Sequence, residues 1–146
     1  MSPDAPIHFV CAAPSDRPPP VVWKHLSDIE RWSQWVPGVA TASLDGALLP
    51  GAGFRWRSHG VSLRSVLLEV ERPQRLMWQG RGAGMRVRHE WRIVPQGTGS
   101  LIRSEEWVQG FWLRPFAKQI APILQRSVAE WVDALVRRSR QEARCD

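Results

Sequence analysis

The chain has 146 residues, of which 43% are hydrophobic and 23% charged, proportions typical of one globular domain with its own core. Because it lacks an apolar run of ~18 residues, a signal-peptide pattern and a CxxC motif, we expect a reduced, cytoplasmic protein without a membrane span. The net charge of +6 is of the kind seen in nucleic-acid-binding proteins, but its arginines are scattered over residues 17–144, which favours a basic solvated surface.

The first part of the chain predicts one strand followed by two short helices. Alternating apolar residues predict a strand at residues 7–12, which the prolines at 18–20 end. The same prolines suit the first turn of a helix. Asp28 is then the predicted cap of a second short helix, which Pro37 and Gly38 end.

The middle of the chain predicts an antiparallel meander, because short alternating runs are separated by Gly, Pro and Asp turns. The six predicted strands span residues 39–44, 54–58, 61–71, 76–80, 86–94 and 100–108. Residues 95–99 read Pro-Gln-Gly-Thr-Gly and predict a hairpin loop. The last third predicts a helix with an apolar stripe from residue 116 to residue 135, which Pro122 either kinks or begins. The order is therefore β-α-α-β6-α, an α+β domain over residues 1–146 with a core at about 7–140.

Seven short motifs occur along these elements. They are VWKHLSD (22–28), WSQWVPGV (32–39), GFRW (53–56), EVERP (69–73), LMW (76–78), HEW (89–91) and EWVQG (106–110). In this order and spacing the chain resembles the START-like helix-grip superfamily, in its polyketide cyclase/dehydrase branch. The resemblance implies a curved antiparallel sheet wrapped around a long C-terminal helix, with an apolar cavity between them. It also implies a hydrophobic ligand, since members bind lipids, sterols, quinones, hormones or aromatic polyketides and a minority catalyse cyclisation.

A histidine and a carboxylate are predicted side by side inside the sheet. Alternation turns His89 inward on one strand and Glu106 inward on the next, and a loop at residues 96–99 places the two opposite each other. Glu106 then orients His89 to bind or move a proton on a ligand's carbonyl or phenol. The alternative is a buried pair that satisfies itself and contributes only shape and polarity.

Large apolar side chains supply the rest of the predicted site. Nine tryptophans in so short a chain indicate either a wide core or a large apolar cavity. Arg64 has the parity of the inward side chains, so it lies at the mouth unless a bulge turns it out. The predicted ligand contacts are Phe54, Trp56, Leu68, Trp78, Trp91, Ser104, Phe116, Ile120 and Leu124.

Three functions follow from these patterns. The first is binding of a hydrophobic, ring-containing small molecule such as a lipid, a quinone or an aromatic polyketide. The second is a cyclase or dehydratase in which His89 and Glu106 are catalytic, and the third is a carrier or interaction module with Trp107 and Trp112 at its rim. No cofactor or metal is expected, because the four histidines form no HExxH motif and no Cys/His cluster. The oligomeric state is left open, a dimer included.

Overall fold

A single antiparallel sheet of seven strands dominates the computed structural model, which describes residues 6–145 and the side chains as far as residue 141. The strands are β1 (Ile7–Ser15), β2 (Val39–Leu44), β3 (Gly53–Ser58), β4 (Val61–Glu71), β5 (Arg75–Gly82), β6 (Met85–Gln96) and β7 (Gly99–Gln109). The helices are α1 (Pro19–Leu26), α2 (Trp32–Trp35) and α3 (Ala117–Cys145), with 3₁₀ turns at Ile29–Arg31 and Arg114–Phe116.

The strand order β1-β7-β6-β5-β4-β3-β2 makes a meander whose first strand returns to pair with the last. The sheet curves around α3, which packs against β1, β7 and α1. This is the predicted helix-grip architecture in the predicted element order, so the fold class is confirmed. No helix in the described part of the chain combines the length and the apolar character needed to cross a membrane.

The helices follow the sequence signals with one correction, at Asp28, and the structure resolves the alternative that was open at Pro122. Pro19 occupies the first turn of α1, as expected, but the Asp28 side chain does not cap the following turn. Its carboxylate instead accepts a 2.6 Å hydrogen bond from Arg31. Pro122 lies inside α3, so the helix does not begin there. The proline removes one backbone bond in the second turn, close to a helix end where such bonds are already incomplete.

A bulge in β4 changes which side chains face inward. Val70 pairs with Leu76 as expected, but Leu67 rather than Leu68 lies opposite Trp78 because the register shifts between Leu67 and Glu69. Leu67 is consequently buried and Leu68 is only half-buried, so the predicted inward orientation of Leu68 is wrong. The same bulge resolves the alternative for Arg64, whose side chain is exposed on the outer face.

The β6–β7 hairpin has the predicted register. His89 lies opposite Glu106, and Trp91 lies opposite Ser104. The turn is tighter than expected, since Gln96 pairs with Gly99 and leaves only two residues between the strands. Gly97, the first of these two, has a φ of 59°, a conformation that glycine adopts without strain. Because the register is unaffected, the hairpin delivers the histidine and the carboxylate to the same inner face.

Tryptophan rings fill the space between α2, the sheet and α3. Trp32 is fully buried, and its ring centroid lies 5.1–5.6 Å from those of four other aromatic rings. Those rings belong to Phe54, Trp56, Trp78 and Trp131. The Trp32 indole also donates a 2.9 Å hydrogen bond to the Leu26 carbonyl, so its polar atom is satisfied. Part of the tryptophan excess therefore forms core, at one end of the space that α3 covers.

Candidate functional site

A cavity of about 380 Å³ lies between the inner face of the sheet and the first half of α3. Its volume is near the lower end of the roughly 300–1,000 Å³ usual for small-molecule sites. The wall is mainly apolar and aromatic, built by Trp56, Leu63, Trp78, Val87, Leu124 and Trp131. The tryptophans thus do both things that the sequence allowed, since some fill the core and some line a cavity.

The cavity reaches the surface between the β3–β4 turn and α3. The lining residues that are also exposed mark this mouth, which we define by His59, Ile123, Arg126 and Glu130. Ile123 is 67% exposed although it belongs to an apolar part of the helix. The mouth therefore combines one exposed apolar side chain with charged and polar ones.

His89 and Glu106 form the polar inner end of the cavity. Both line it, and both are nearly inaccessible to solvent, with exposed fractions of 1% and 8%. The His89 Nδ1 atom lies 3.0 Å from Glu106 Oε2. The sequence-based prediction that these two groups meet inside the sheet is therefore confirmed by the geometry.

Ser104 is hydrogen-bonded to the other ring nitrogen of His89. Its hydroxyl oxygen lies 2.6 Å from His89 Nε2, so both nitrogens have protein partners. With Glu106 ionised, the network assigns the ring proton to Nδ1, which donates to the carboxylate, and the Ser104 hydroxyl donates to Nε2. His89 thereby holds Glu106 in place, and the carboxylate rather than the imidazole has an oxygen left for a ligand.

The connectivity Ser104–His89–Glu106 is that of a hydrolytic triad, but its position is wrong for that chemistry. A nucleophilic serine must reach the substrate. Ser104 has no exposed surface and does not line the cavity. The arrangement is therefore suited to orienting a carboxylate and to moving a proton, not to acyl transfer. No group of three potential metal ligands occurs among the residues that the structure describes.

Cys11 on β1 lies close to this polar end. Burial, together with the nearby carboxylates of Glu106 and Asp133, raises the pKa of its thiol above the ordinary value. The Sγ atom lies 3.7 Å from the carbonyl oxygen of Gln125, to which it donates.

We expect Cys11 to alkylate slowly in the folded protein. Iodoacetamide reacts with the thiolate, so a raised pKa moves the half-maximal rate to higher pH than in the unfolded chain. The pH–rate profile of a Cys145→Ser variant, with and without urea, measures this difference for Cys11 alone. Identical profiles in the two states contradict the predicted shift.

The structure brings only part of the predicted ligand set to the cavity. Trp56, Trp78 and Leu124 line it together with His89 and Glu106. Three further predicted residues are buried behind the wall, namely Phe54, Trp91 and Ser104. Three do not line it: Leu68, which the bulge turns away, Ile120, which is half-buried against the core, and Phe116, which is 53% exposed.

Trp131 and Ser65 line the cavity although sequence reasoning did not assign them to it. Trp131 belongs to the apolar stripe of α3, and its ring packs edge-on against His89 at 5.6 Å. The apolar periodicity of α3 therefore indicates that Trp131 is on the buried face, but not which residues of the stripe line the cavity. Ser65 accepts a 3.1 Å hydrogen bond from the Trp56 indole and so fixes that ring in the wall. A Cβ on Gly80 would lie 2.3 Å from the Ser65 hydroxyl, so this stretch of wall requires glycine.

Comparisons with known proteins agree with this architecture. A family model described as polyketide cyclase / dehydrase and lipid transport matches residues 7–140. No match is found among curated protein sequences.

Solved structures show the same fold at low sequence identity. A protein from Thermus thermophilus has a TM-score of 0.79 at 15% identity, over 92% of this chain and 98% of that one. A START superfamily protein from Mycobacterium smegmatis has a TM-score of 0.76 at 14% identity, over 92% and 97%. The di-domain ARO/CYC StfQ from the steffimycin biosynthetic pathway has a TM-score of 0.77 at 12% identity, over 94% of this chain but 52% of that one.

The family match covers nearly all of the described sheet and α3, including both sides of the cavity. The chain therefore belongs to the polyketide cyclase / dehydrase and lipid transport family.

Proposed function

We propose that the protein binds a small, hydrophobic, ring-containing molecule in the cavity, with the Glu106 carboxylate as its polar anchor. The observation that carries the proposal is the combination of an aromatic wall with one oriented carboxylate at the closed end. Such a site is apolar with few, well-placed polar groups, as ligand sites in proteins usually are. The family to which the chain belongs supports a hydrophobic ligand of this kind.

The wall favours a planar ligand. Trp56, Trp78 and Trp131 present large flat side chains to one small space, and aromatic faces pack best against other rings in stacked or edge-on arrangements. The volume of about 380 Å³ suits one compact ring system better than a lipid with two long chains. An aromatic polyketide or a hydroxylated quinone is accordingly favoured over a phospholipid as the occupant.

Glu106 supplies the polar contact. One carboxylate oxygen bonds His89, and in the described part of the chain no group donates to the other, Oε1. Oε1 is not among the fully enclosed polar atoms that lack a partner, so it stays open to the cavity, where a ligand hydroxyl donates a charge-assisted hydrogen bond to it. The ligand class is therefore a ring compound that carries a phenolic or enolic O–H group.

We expect Leu124→Trp to block this site. The larger side chain occupies the space between α3 and the aromatic wall, so calorimetric titration with 2-naphthol should show at least tenfold weaker binding than wild type. Gln119→Trp is the matched control, because it adds the same side chain at an exposed position of the same helix. Equal affinity of Leu124→Trp and wild type, or no binding of 2-naphthol to either, rejects the proposed site.

Proton transfer on such a ligand is the second candidate function. The hydrogen-bonded series Ser104–His89–Glu106 favours it, because Glu106 can take a proton from a ligand O–H or C–H group at Oε1 while the Nδ1–H group of His89, 3.0 Å from Oε2, holds the carboxylate in place. A cyclase or dehydratase of this type requires both groups. It predicts that His89→Ala and Glu106→Gln each abolish turnover while a ring hydrocarbon still binds.

A further inference from the structure

Four arginines lie in one row across the outer face of the sheet. Arg55 is opposite Arg64, Arg64 is opposite Arg81, and Arg81 is opposite Arg86, on strands β3, β4, β5 and β6. All four side chains are exposed. Like charges directly opposite each other in a sheet are destabilising, so this arginine row works against folding unless an anion neutralises it.

The two ends of the outer face differ in charge balance. At the far end, Arg75 forms ion pairs with Glu69 and Glu90, and Arg103 lies 3.2 Å from Glu105. In the arginine row, Arg55 reaches Asp45 only at 3.9 Å, and the other three form no ion pair with any residue that the structure describes. The excess positive charge of this face is therefore concentrated at the end that carries the row.

An aromatic tip adjoins the arginine row. The β5–β6 turn and the chain leaving β7 are joined there, since the Trp112 indole donates a 3.0 Å hydrogen bond to the Ala83 carbonyl. Phe111 projects from this tip with 91% of its surface exposed. Shallow grooves on its two sides are lined by Phe111 together with Arg64, Arg81, Arg86 and Arg114. The tip thus presents an apolar ring surrounded by guanidinium groups.

We propose that the arginine row and the Phe111 tip form a docking surface for a membrane that contains anionic phospholipid. The arginines bind lipid phosphates, and the Phe111 ring enters the apolar region below them. Aromatic and cationic side chains divide an interface between membrane and water in this way. This docking surface is separate from the ligand site, because none of these arginines lines the cavity.

Two observations favour a membrane over a nucleic acid. The exposed ring lies at one end of the row, whereas stacking on a single strand uses aromatic side chains interleaved with the basic ones. Met85 lines both the cavity and one groove beside Phe111, so the docking surface adjoins the apolar interior. A hydrophobic ligand dissolved in a membrane is then close to the cavity wall when the protein is docked.

Vesicle co-sedimentation tests the proposal. Wild type should bind vesicles of phosphatidylcholine mixed with phosphatidylglycerol, lose this binding at high salt, and not bind phosphatidylcholine alone. The triple variant Arg64→Gln/Arg81→Gln/Arg86→Gln should bind the mixed vesicles at least tenfold more weakly. Phe111→Ser should weaken binding roughly tenfold with no change in charge.

A second triple variant removes the same charge from positions outside the docking surface, at the far end of the outer face and on α3. Arg92→Gln/Arg137→Gln/Arg140→Gln should bind the mixed vesicles as wild type does, and all variants should keep the wild-type affinity for 2-naphthol. Equal loss in both triple variants, or no binding of wild type to the mixed vesicles, overturns the proposal. The proposal is also overturned if the wild-type protein binds a single-stranded oligonucleotide through the arginine row but does not sediment with the vesicles.

Discussion

Replacing Trp32 by alanine should lower the free energy of unfolding by about 3–5 kcal/mol, the usual range for deleting a fully buried large aromatic side chain. Trp32 has no exposed surface and packs against four aromatic rings from β3, β5 and α3. The substitution also removes the indole donor that satisfies the Leu26 carbonyl. Since small domains are stable by only about 5–15 kcal/mol, this single change removes a large fraction of the total.

Urea denaturation measures the effect as a lower midpoint with an unchanged slope. Trp107→Ala is the matched control, because Trp107 is a half-buried ring on the outer face that stacks on His8 at 5.2 Å. We expect Trp107→Ala to lower the free energy of unfolding by well under half as much as Trp32→Ala. Similar losses for Trp32 and Trp107 contradict a core organised around the Trp32 cluster.

Glu106→Gln should have the largest effect on ligand binding. Hydrogen bonds to charged groups contribute about 1.5–3 kcal/mol, so the affinity for 2-naphthol should fall roughly 10- to 100-fold. Naphthalene lacks the hydroxyl group and should bind wild type and variant equally. Calorimetric titration of both compounds separates the polar anchor from the apolar wall.

Glu105→Gln is the control for this experiment. Glu105 is the neighbouring carboxylate on β7, but it faces outward, where it contacts His8 and Arg103. The Glu105→Gln variant should bind 2-naphthol and naphthalene with the wild-type affinities. An unchanged affinity of Glu106→Gln for 2-naphthol shows that the pair formed by His89 and Glu106 is structural.

The inward-facing side chains of β6 and β7 could be predicted from sequence, because local rules determine which residues face inward and which are paired. A hairpin loop fixes the register, and strict alternation of charged and apolar residues fixes the faces. These two rules place His89 opposite Glu106, as the structure does. The Ser104 hydroxyl lies two pairs closer to the turn, and its bond to His89 depends on side-chain conformations that alternation does not specify.

The β4 bulge could not be predicted in the same way. The bulge depends on the pairing of β4 with its neighbouring strand. One extra residue exchanges the inward and outward faces of all β4 residues on one side of the bulge. Leu68 was consequently assigned inward, whereas Leu67 is the buried residue. Ser65, which supports Trp56 in the wall, was missed for the same reason.

Helical periodicity predicts the apolar stripe of α3, but the contacts of each stripe residue depend on where the helix crosses the sheet. The C-terminal half of α3 buries Trp131 and Leu135 against the core, whereas Phe116, in the 3₁₀ turn just before the helix, is 53% exposed. Helical periodicity identifies a face and does not give the point at which that face leaves the core. The cavity is therefore lined by the middle of the stripe, from Leu124 to Trp131.

Native mass spectrometry of protein purified without detergent, followed by solvent extraction, tests the cavity most directly. We expect a stoichiometric adduct, either retained from the host or formed on exposure to a panel of hydroxylated quinones and aromatic polyketides. The extracted compound should contain a ring system with a phenolic or enolic hydroxyl group, and Leu124→Trp should lack the adduct. A protein that stays at its unliganded mass throughout this panel contradicts a ligand-binding cavity.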